Sequence, residues 1–281
     1  MLYLSSEEID RFIKEDVPYF DLTSHLLGIR DQPGKITYFI REEAVVCGTE
    51  EVKEIFKKLN IECTFYVPSG EKAKKNDILI SGTGKAEDLH TAWKAGQNIL
   101  DHCSGIATQT RRMVDIGNAM EPKVAVLTTR KGFPGTKALA IKSVLAGGGY
   151  PHRLGISETV LIFKQHLNFI GGMNALAEKI KEIKQYCCEK KIIAEAESLE
   201  DGLRLAEMGV DGIQFDKLKP EELKEAVIRI KKKTPHISLL AAGGINEKNI
   251  SAYVKTGVDG VVTTSLYNAK PADVGVKLEM L

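Results

Sequence analysis

The chain has 281 residues, enough for one large domain or two medium-sized ones, and its hydrophobic fraction of 43% is ordinary for a globular protein. Its 39 basic and 38 acidic residues leave a net charge of +1, which excludes a general binder of nucleic acid or of membrane surfaces. Any bound anion must therefore be held by a local cluster of charges.

The sequence also indicates a compartment. No run of about 18 apolar residues predicts a membrane span, and the acidic start of the chain lacks the apolar core of a signal peptide. The five cysteines are odd in number and form no C-x-x-C pair, so neither a disulfide framework nor a structural zinc site is expected. We therefore expect a cytoplasmic protein.

The first part of the chain predicts a mixed α/β unit. Ser5 and Glu8 have the spacing of a capping box that opens a helix through Lys14. A second helix is predicted over residues 49–59. A long helical segment over residues 87–119 follows and is expected to break near Ser104-Gly105. Strands are predicted over residues 35–47, 61–67 and 77–81.

After Lys123 the pattern changes, and short apolar runs alternate with amphipathic helices. This alternation predicts a parallel sheet, closed as a barrel or doubly wound, and six strand–helix units favour a barrel with fewer than eight strands. The predicted strands cover residues 124–127, 159–163, 192–196, 212–215, 237–241 and 260–263, and the predicted helices cover residues 136–146, 174–189, 199–208, 220–232 and 246–256.

The stretch over residues 128–158 carries two cationic clusters. Thr129-Arg130-Lys131 follows the first strand of the alternating part, and His152-Arg153 follows the three glycines at 147–149. Arginine and lysine suit a bound phosphate or carboxylate, and glycine lets backbone N–H groups approach an anion closely. A solvated basic loop is the alternative, but these charges flank turns and apolar runs instead of lining a polar helix face.

Further polar residues follow the other predicted strands, at the end of the strands where barrel active sites form. Taken singly, Glu197 could be a surface carboxylate and His166 a satisfied, partly buried histidine, but six such coincidences on one face favour a site. Glycines near the last two strands are placed where barrels often hold a phosphate. The residues are Lys164 and His166, Glu195 and Glu197, Asp216, Ala242-Gly243-Gly244, and Thr263-Thr264-Ser265.

The chemistry of this set is that of charge neutralisation. Glu195 and Asp216 can hold Mg²⁺ through oxygen ligands or accept hydrogen bonds from a ribose diol. Neither a nucleophile with a Ser-His-Asp order nor a His/Cys metal cage is visible in the sequence. The set suits a phosphorylated sugar that loses diphosphate through an oxocarbenium-like state, which needs positioning more than a nucleophile.

Motifs across nearly the whole chain resemble the quinolinate phosphoribosyltransferases, the carboxylating nicotinate-nucleotide pyrophosphorylases. They are TTRK and PGTK within residues 128–137, GGGYPHRLGISE at 147–158, AEAESLE at 194–200, Phe215-Asp216, and Ala-Gly-Gly-Ile at 242–245. Within that family the ModD branch, named for molybdenum-transport loci, is more similar. The features are DLTS at 21–24, SGIAT at 104–108, FPGTK at 133–137 and LAGGGYPHRLGISET at 145–159.

The resemblance implies an α/β fold with an N-terminal α/β sandwich domain and an incomplete (β/α) barrel. The sandwich covers residues 1–108, rejoined by residues 268–281, and the barrel covers residues 109–267. The family forms homodimers in which one subunit's N-terminal domain closes the partner's barrel site. Its substrates are small molecules, with phosphoribosyl diphosphate as co-substrate and Mg²⁺ as cofactor.

The resemblance also assigns roles to individual residues. Lys94 corresponds to the family residue that one subunit contributes to the barrel site of its partner. The matched residues are Thr129, Arg130, Lys131, His152 and Arg153 for the carboxylated substrate and the phosphates, Glu195 and Asp216 for the ribose and the metal, and Ala242, Gly243, Gly244, Thr263, Thr264 and Ser265 for a phosphate.

Four positions depart from the family pattern. Lys94 stands for an arginine, which keeps the charge and loses the bidentate fork. Phe163 stands for an active-site lysine, and Lys164, one residue later, points to the opposite face of a strand. Ala242 stands for a serine and Thr264 for a glycine.

Three functions stay open. The first is transfer of phosphoribosyl to an unidentified nitrogen-containing, carboxylated acceptor with release of pyrophosphate. The second is a true quinolinate phosphoribosyltransferase of NAD synthesis, against which Phe163 argues. The third is a non-catalytic protein that holds an anion or a phosphorylated ligand for a molybdenum-related process, which Phe163 and Ala242 favour slightly. We rank the first ahead.

Overall fold

The computed structural model describes residues 4–281 of the chain. In chain order its elements are α1 (Ser6–Asp16), α2 (Leu22–Leu26), β1 (Pro33–Ile40), β2 (Ala44–Val45), α3 (Thr49–Lys58), β3 (Glu62–Tyr66), β4 (Lys72–Ala73), β5 (Ile78–Lys85), α4 (Ala86–Asn118), β6 (Ala125–Thr128), α5 (Lys137–Ala146), β7 (Tyr150–Pro151), β8 (Val160–Ile162), α6 (Lys164–Ile170), α7 (Met173–Tyr186), β9 (Ile192–Ala196), α8 (Leu199–Glu207), β10 (Gly212–Asp216), α9 (Pro220–Lys233), β11 (Ser238–Ala242), α10 (Ile250–Val254), β12 (Gly260–Thr263), a 3₁₀ turn (Ser265–Asn268) and β13 (Val274–Met280). Of the helices in this range, none combines the length and the apolar character that a membrane span requires.

The chain divides into two units. The N-terminal unit consists of the chain up to Arg111 together with Gly132–Gly148 and Tyr267–Leu281, and the barrel unit consists of Arg112–Lys131 and Gly149–Leu266. Gly132–Gly148 lies within the range 109–267 that the sequence-based division assigns to the barrel, but α5 makes its contacts in the N-terminal unit. Buried Lys142 on α5 forms ion pairs there with Glu50 and Glu51 of α3.

The N-terminal unit contains an antiparallel sheet of order β13-β1-β5-β3. Along β1, Ile36, Tyr38 and Ile40 are fully buried and the residues between them are less so, which is the period of a strand with one face on a core. The Tyr38 hydroxyl donates to the carbonyl oxygen of Ala92 on α4 at 2.8 Å. The predicted mixed α/β architecture is confirmed here, with β13 from the C-terminus as an edge strand.

Two local predictions for this unit have different outcomes. The capping box is confirmed, because the Glu8 N–H donates to Ser5 Oγ at 3.2 Å and the Ser5 N–H donates to Glu8 Oε2 at 2.8 Å. The break at Ser104-Gly105 is wrong, because α4 runs without interruption from Ala86 to Asn118. Gly105 is instead a packing residue, since a Cβ there would collide with the backbone of Lys270 and Pro271.

The barrel unit contains a parallel sheet of order β7-β6-β12-β11-β10-β9-β8, as expected for an incomplete barrel. Its strands are short and mostly buried, which fits a parallel sheet with both faces covered. The two-residue strand β7 and the helix α6 do not appear among the predicted elements. Helix α10 covers Ile250–Val254 only, much less than the predicted 246–256.

Candidate active site

The predicted site residues of the barrel unit lie at the carboxyl ends of its parallel strands. Leu127, Leu240, Ala242 and Val262 form a cluster on one face of the sheet, which we call the inner face. Because directly paired residues share a face and residues two apart do too, the strand register decides which site residues also lie there.

The register places both acidic residues on the inner face. Gln214 pairs with Glu195 and with Leu240, and Asp216 pairs with Ala242. The sheet therefore presents the carboxyls of Glu195 and Asp216 on neighbouring strands and on the same face as the apolar cluster.

Glu195 lies in an environment that disfavours its charge. Burial raises the pKa of Glu195 above the ordinary value of 4.5, and the nearby carboxylate of Asp216 raises it further. The Gln214 side chain donates to Glu195 Oε2 at 3.3 Å and the ammonium of Lys131 is within electrostatic reach, and both act in the opposite direction. The pair therefore carries excess negative charge that a bound cation would relieve.

Sequence reasoning missed Gln214. It is only 6% exposed and is the one polar residue that precedes Asp216 in the strand Gly212–Asp216. A buried amide needs a partner, and its position two residues before Asp216 was the available signal that it belongs to the site face. Gln214 orients Glu195 by its hydrogen bond.

The cationic residues follow β6 and β7, which are adjacent parallel strands. The backbone N–H of His152 donates to the carbonyl oxygen of Thr128 at 2.9 Å. This hydrogen bond holds the His152-Arg153 cluster next to the end of β6, where the Thr129-Arg130-Lys131 cluster begins. Burial lowers the pKa of Arg153 below its ordinary value, and the charge of Arg130 lowers it further. Arg130 and Arg153 are thus close enough to repel each other, as cations do around an anion site.

His152 contributes a buried polar atom to this cluster. Its Nε2 is buried and has no hydrogen-bond partner within residues 4–281. Burial lowers the pKa of His152, and the neighbouring charge of Arg153 lowers it further, so the neutral imidazole is favoured near neutral pH. An unpartnered buried nitrogen beside two arginines is a suitable hydrogen-bonding group for a ligand.

The threonines after β6 and β12 divide into two roles. Thr129 and Thr264 follow the inner-face residues of their strands by two positions, and their hydroxyl oxygens lie 2.9 Å apart. The Thr263 hydroxyl instead donates to the carbonyl oxygen of Ile245 at 2.6 Å and lies 2.9 Å from Ser265 Oγ. Of the predicted phosphate residues, Thr263 and Ser265 therefore hold the loop together, and Thr264 is the one that joins the inner face.

The predicted phosphate loop is built around glycines with left-handed backbone. Gly243 has φ 92° and Gly244 has φ 74°, and an added Cβ at Gly244 would meet nothing within 4 Å. The expected helix N-terminus is not adjacent, because α10 begins only at Ile250. Asn246 and Asn249 fill the interval, each donating through Nδ2 to the carbonyl oxygen of Gly244 at 3.1 Å.

At the end of β8 the structure places an aromatic pair. Ile162 pairs with Ala194, so Phe163 follows at the level of Glu195. The rings of Phe163 and His166 stack with centroids 5.8 Å apart, and the Phe163 N–H donates to Nδ1 of His166 at 2.9 Å. That hydrogen bond leaves the proton of a neutral His166 ring on Nε2.

Two predicted polar residues near the site neutralise each other. Lys164 Nζ lies 2.7 Å from Glu197 Oε2, and both side chains are mostly exposed. The pair lies at the surface, which was the alternative explanation of Glu197 and not the favoured one. Lys164 does not supply the cation that the family resemblance places at the position of Phe163. In the N-terminal unit, Lys94 is exposed on α4, where its Nζ donates to Gln97 Oε1 at 3.0 Å and lies over the ring of Trp93.

The residues present fit a magnesium ion. Within residues 4–281 no three His, Cys, Asp or Glu side chains group as a metal cage. Mg²⁺ is commonly bound by one or two carboxylates together with substrate phosphates and water. Glu195 and Asp216 offer two carboxyls on one face of the sheet, which is that kind of donor set.

Comparison with protein families and solved structures agrees with this geometry. The sequence model described as "Quinolinate phosphoribosyl transferase, N-terminal domain" matches residues 21–104, and that of the C-terminal domain matches residues 106–277. ModD of Pasteurella multocida (strain Pm70), which carries the name of a pyrophosphorylase, is 36% identical over 99% of this chain and 99% of its own. ModD of Escherichia coli O157:H7 is 32% identical over 99% and 98%.

Solved structures extend the likeness to the fold. The nicotinate-nucleotide pyrophosphorylase of Ehrlichia chaffeensis superposes with a TM-score of 0.90 at 27% identity, covering 99% of this chain and 100% of that one. The corresponding protein of Francisella tularensis, at 24% identity, has the same fold with a TM-score of 0.89. The two domain matches and the full-length ModD relatives show that the chain belongs to the quinolinate phosphoribosyl transferase family.

Proposed function

We propose that the protein transfers the phosphoribosyl group of phosphoribosyl diphosphate to a nitrogen-containing, carboxylated acceptor and releases pyrophosphate. Its family is one of pentosyltransferases, and this is the reaction type that the family name describes. The observation that carries the proposal is the inner face of the barrel unit, where the carboxyls of Glu195 and Asp216 lie on neighbouring strands and Glu195 is within electrostatic reach of Lys131.

In this reaction an acceptor nitrogen forms a bond to C1 of the ribose as the bond from C1 to the diphosphate oxygen breaks. The diphosphate leaves with the electron pair, and positive charge develops on the ribose. Arg130, Lys131 and Arg153 supply the cations that neutralise the leaving group and the acceptor carboxylate. Glu195 and Asp216 supply negative charge and acceptors for the ribose hydroxyls.

We further propose that Mg²⁺, held by Glu195 and Asp216 directly or through water, neutralises the diphosphate. The raised pKa of Glu195 supports this, because burial and then the charge of Asp216 disfavour a second free carboxylate there. His152 Nε2, buried and unpartnered within the described residues, is available to donate to the leaving group or to the acceptor.

Replacing Lys131 tests the site assignment. Lys131→Ala is expected to lower kcat/KM for pyrophosphate release by roughly tenfold or more, since a hydrogen bond to a charged group is worth about 1.5–3 kcal/mol. Lys224→Ala, on the exposed face of α9, is the matched control and keeps wild-type turnover. Wild-type turnover by a folded Lys131→Ala protein would remove the loop after β6 from the site.

Quinolinate itself is the second candidate acceptor. The rat nicotinate-nucleotide pyrophosphorylase is 28% identical over 95% of this chain and 88% of its own. Phe163 argues against it, because the stacked Phe163–His166 pair offers an aromatic surface where the family resemblance leads us to expect a cation. Pyrophosphate release measured in parallel with quinolinate and with other ring acceptors separates the two candidates.

A homodimer with shared sites is also part of the proposal. The segment that leads into and through α2 exposes large apolar side chains, with Tyr19 91% exposed and Leu26 74% exposed, and such patches mark interfaces. Lys94 is exposed and has no carboxylate partner within residues 4–281, so it is available to a neighbouring subunit. A cytoplasmic location is supported by the cysteines, all five of which are free.

Mixing inactive variants tests the shared site. Lys94→Ala and Lys131→Ala are each expected to be strongly impaired alone, by roughly tenfold or more, and to regain activity when their subunits are exchanged, because one site of the mixed dimer is then intact. Lys131→Ala mixed with Glu195→Gln, two changes in the same barrel site, is the control and stays inactive. Absence of rescue in the first mixture would contradict a site shared between subunits.

A further inference from the structure

Lys217, directly after β10, has an unusual backbone conformation. Its φ is 59°, in the left-handed region that side chains with a Cβ rarely occupy. Two other non-glycine residues within residues 4–281 share a positive φ, and both are asparagines (Asn60 and Asn76), which tolerate it better. A strained lysine at the end of a barrel strand is the kind of outlier that accompanies function.

The strain is maintained by the neighbouring loop. The Lys217 N–H donates to the carbonyl oxygen of Ala242 at 2.8 Å. A Cβ on Gly243 would lie 2.5 Å from Lys217 Cγ, 2.6 Å from its backbone nitrogen and 2.7 Å from Asp216 Oδ1. Glycine at 243 is therefore required for this arrangement, and Lys217 and the glycine loop fix each other's positions.

The same geometry places a lysine side chain beside the predicted phosphate loop. Lys217 packs its stem against Gly243, and its Nζ lies 3.9 Å from Asp216 Oδ2 with a side chain that is 78% exposed. Next to it, Gly244 is open to its surroundings. The loop that the sequence predicted to hold a phosphate by backbone alone thus has a lysine beside it.

We propose that Lys217 is a phosphate-binding residue of the active site, where its ammonium contacts a phosphate group of the sugar-phosphate substrate at Gly243-Gly244. The inference rests on the proposed phosphoribosyl transfer and assigns its phosphate site a cation. The ligand is a phosphate dianion that comes either from a ribose 5-phosphate or from a diphosphate, and both present the same chemistry to a lysine.

The test combines four variants with two small probes. Lys217→Met removes the charge and keeps the strain, Lys217→Arg keeps the charge, and Lys217→Gly removes both charge and strain. Lys219→Met, two residues on, removes an exposed lysine whose φ is an ordinary −66° and is the matched control. Dissociation constants for ribose 5-phosphate and for pyrophosphate are measured by calorimetry, alongside the unfolding midpoint and the KM and kcat for phosphoribosyl diphosphate.

We expect Lys217→Met to weaken one of the two probes by roughly tenfold or more, as loss of a charged hydrogen bond does, and to raise KM more than it lowers kcat. Lys217→Arg restores binding, and Lys219→Met leaves it unchanged. Lys217→Gly unfolds at a higher midpoint and still binds weakly, a combination that a purely structural role would not give. The probe that weakens identifies which phosphate Lys217 contacts.

Two results would overturn the inference in distinguishable ways. If the wild-type protein binds a probe and Lys217→Met and Lys217→Gly bind both probes equally well, Lys217 has no role in phosphate binding while phosphoribosyl transfer stands. If the wild-type protein binds neither probe and releases no pyrophosphate from phosphoribosyl diphosphate, the proposed function fails and the role of Lys217 fails with it.

Discussion

Glu195 is the residue on which the electrostatics of the proposed site depend. Burial and then the charge of Asp216 raise its pKa, so the folded protein holds the Glu195 proton more tightly than the unfolded chain does. The free energy of unfolding therefore falls as the pH rises from the unfolded value, 4.5, through the higher folded value. Ionising the Glu195 carboxyl in the folded protein therefore costs stability.

Glu195→Gln is expected to remove that pH-dependent loss. The variant should gain stability over the wild type at about pH 7 and gain less at about pH 4, where the carboxyl is protonated in both states. Urea unfolding at the two pH values measures the difference, with Glu222→Gln on the exposed face of α9 as the control for losing a surface carboxylate. An equal gain at both pH values would show that the Glu195 carboxyl is not under strain in the folded state.

At the residue scale, the sequence identified the types of residue that the site needs, but not which way their side chains point. It grouped Thr263, Thr264 and Ser265 as phosphate ligands, and only the strand register shows that the Thr263 hydroxyl bonds Ile245 while Thr264 faces Thr129. It also could not see Lys217, because a left-handed backbone on a lysine leaves no mark in the sequence.

At the element scale, α5 shows how a short helix is anchored by charge. Lys142 is only 6% exposed, and its Nζ lies 2.9 Å from Glu50 Oε2 and 2.5 Å from Glu51 Oε2. Burial acts to raise the pKa of Glu50, but hydrogen bonds from Lys142 and Ser69 outweigh it and lower that pKa to about 2. The helix that follows the Thr129–Lys131 loop is thus tied to α3 within the N-terminal unit.

Lys142→Met is expected to destabilise the protein by about 3–5 kcal/mol, because it leaves two buried carboxylates without their cation. Chemical denaturation measures the loss. Lys181→Ala, which breaks an exposed pair with Glu178, is the matched control and should change stability by less than about 1 kcal/mol. A Lys142→Met protein as stable as the wild type would mean that the buried pairs do not anchor α5.

Elements marked by a run rich in apolar residues were the ones that could be found in the sequence. Strands β9 and β12 have the predicted bounds, since each is a run of four or five mostly apolar residues between polar segments. Strand β7 has two residues and α6 has seven, which is too few for a period to show. The break expected at Gly105 failed because the glycine serves close packing against Lys270, a contact more than 160 residues away in sequence.

At the scale of the whole molecule, the parallel sheet explains why residues from seven separate loops can form one site. The order β7-β6-β12-β11-β10-β9-β8 places both cationic clusters at one side and the acidic pair at the other, with the glycine and threonine loops between them. Strand–helix alternation predicted the sheet, and the family resemblance predicted its incomplete closure. Neither the alternation nor the resemblance predicts the strand register, which determines the face of the sheet on which each side chain lies.

The proposed role of the whole molecule is phosphoribosyl transfer at the barrel site. The measurement that tests it most directly is pyrophosphate release by the purified protein with phosphoribosyl diphosphate and Mg²⁺, run in parallel with quinolinate, nicotinate and other carboxylated or nitrogen-containing ring acceptors.

We expect release with at least one acceptor other than quinolinate, and loss of that release in Lys131→Ala. Release with quinolinate alone would show that Phe163 is tolerated and make the protein a quinolinate phosphoribosyltransferase. Binding of phosphoribosyl diphosphate without release of pyrophosphate with any acceptor, unchanged by Mg²⁺, would contradict the claim and favour a protein that holds a phosphorylated ligand without turnover.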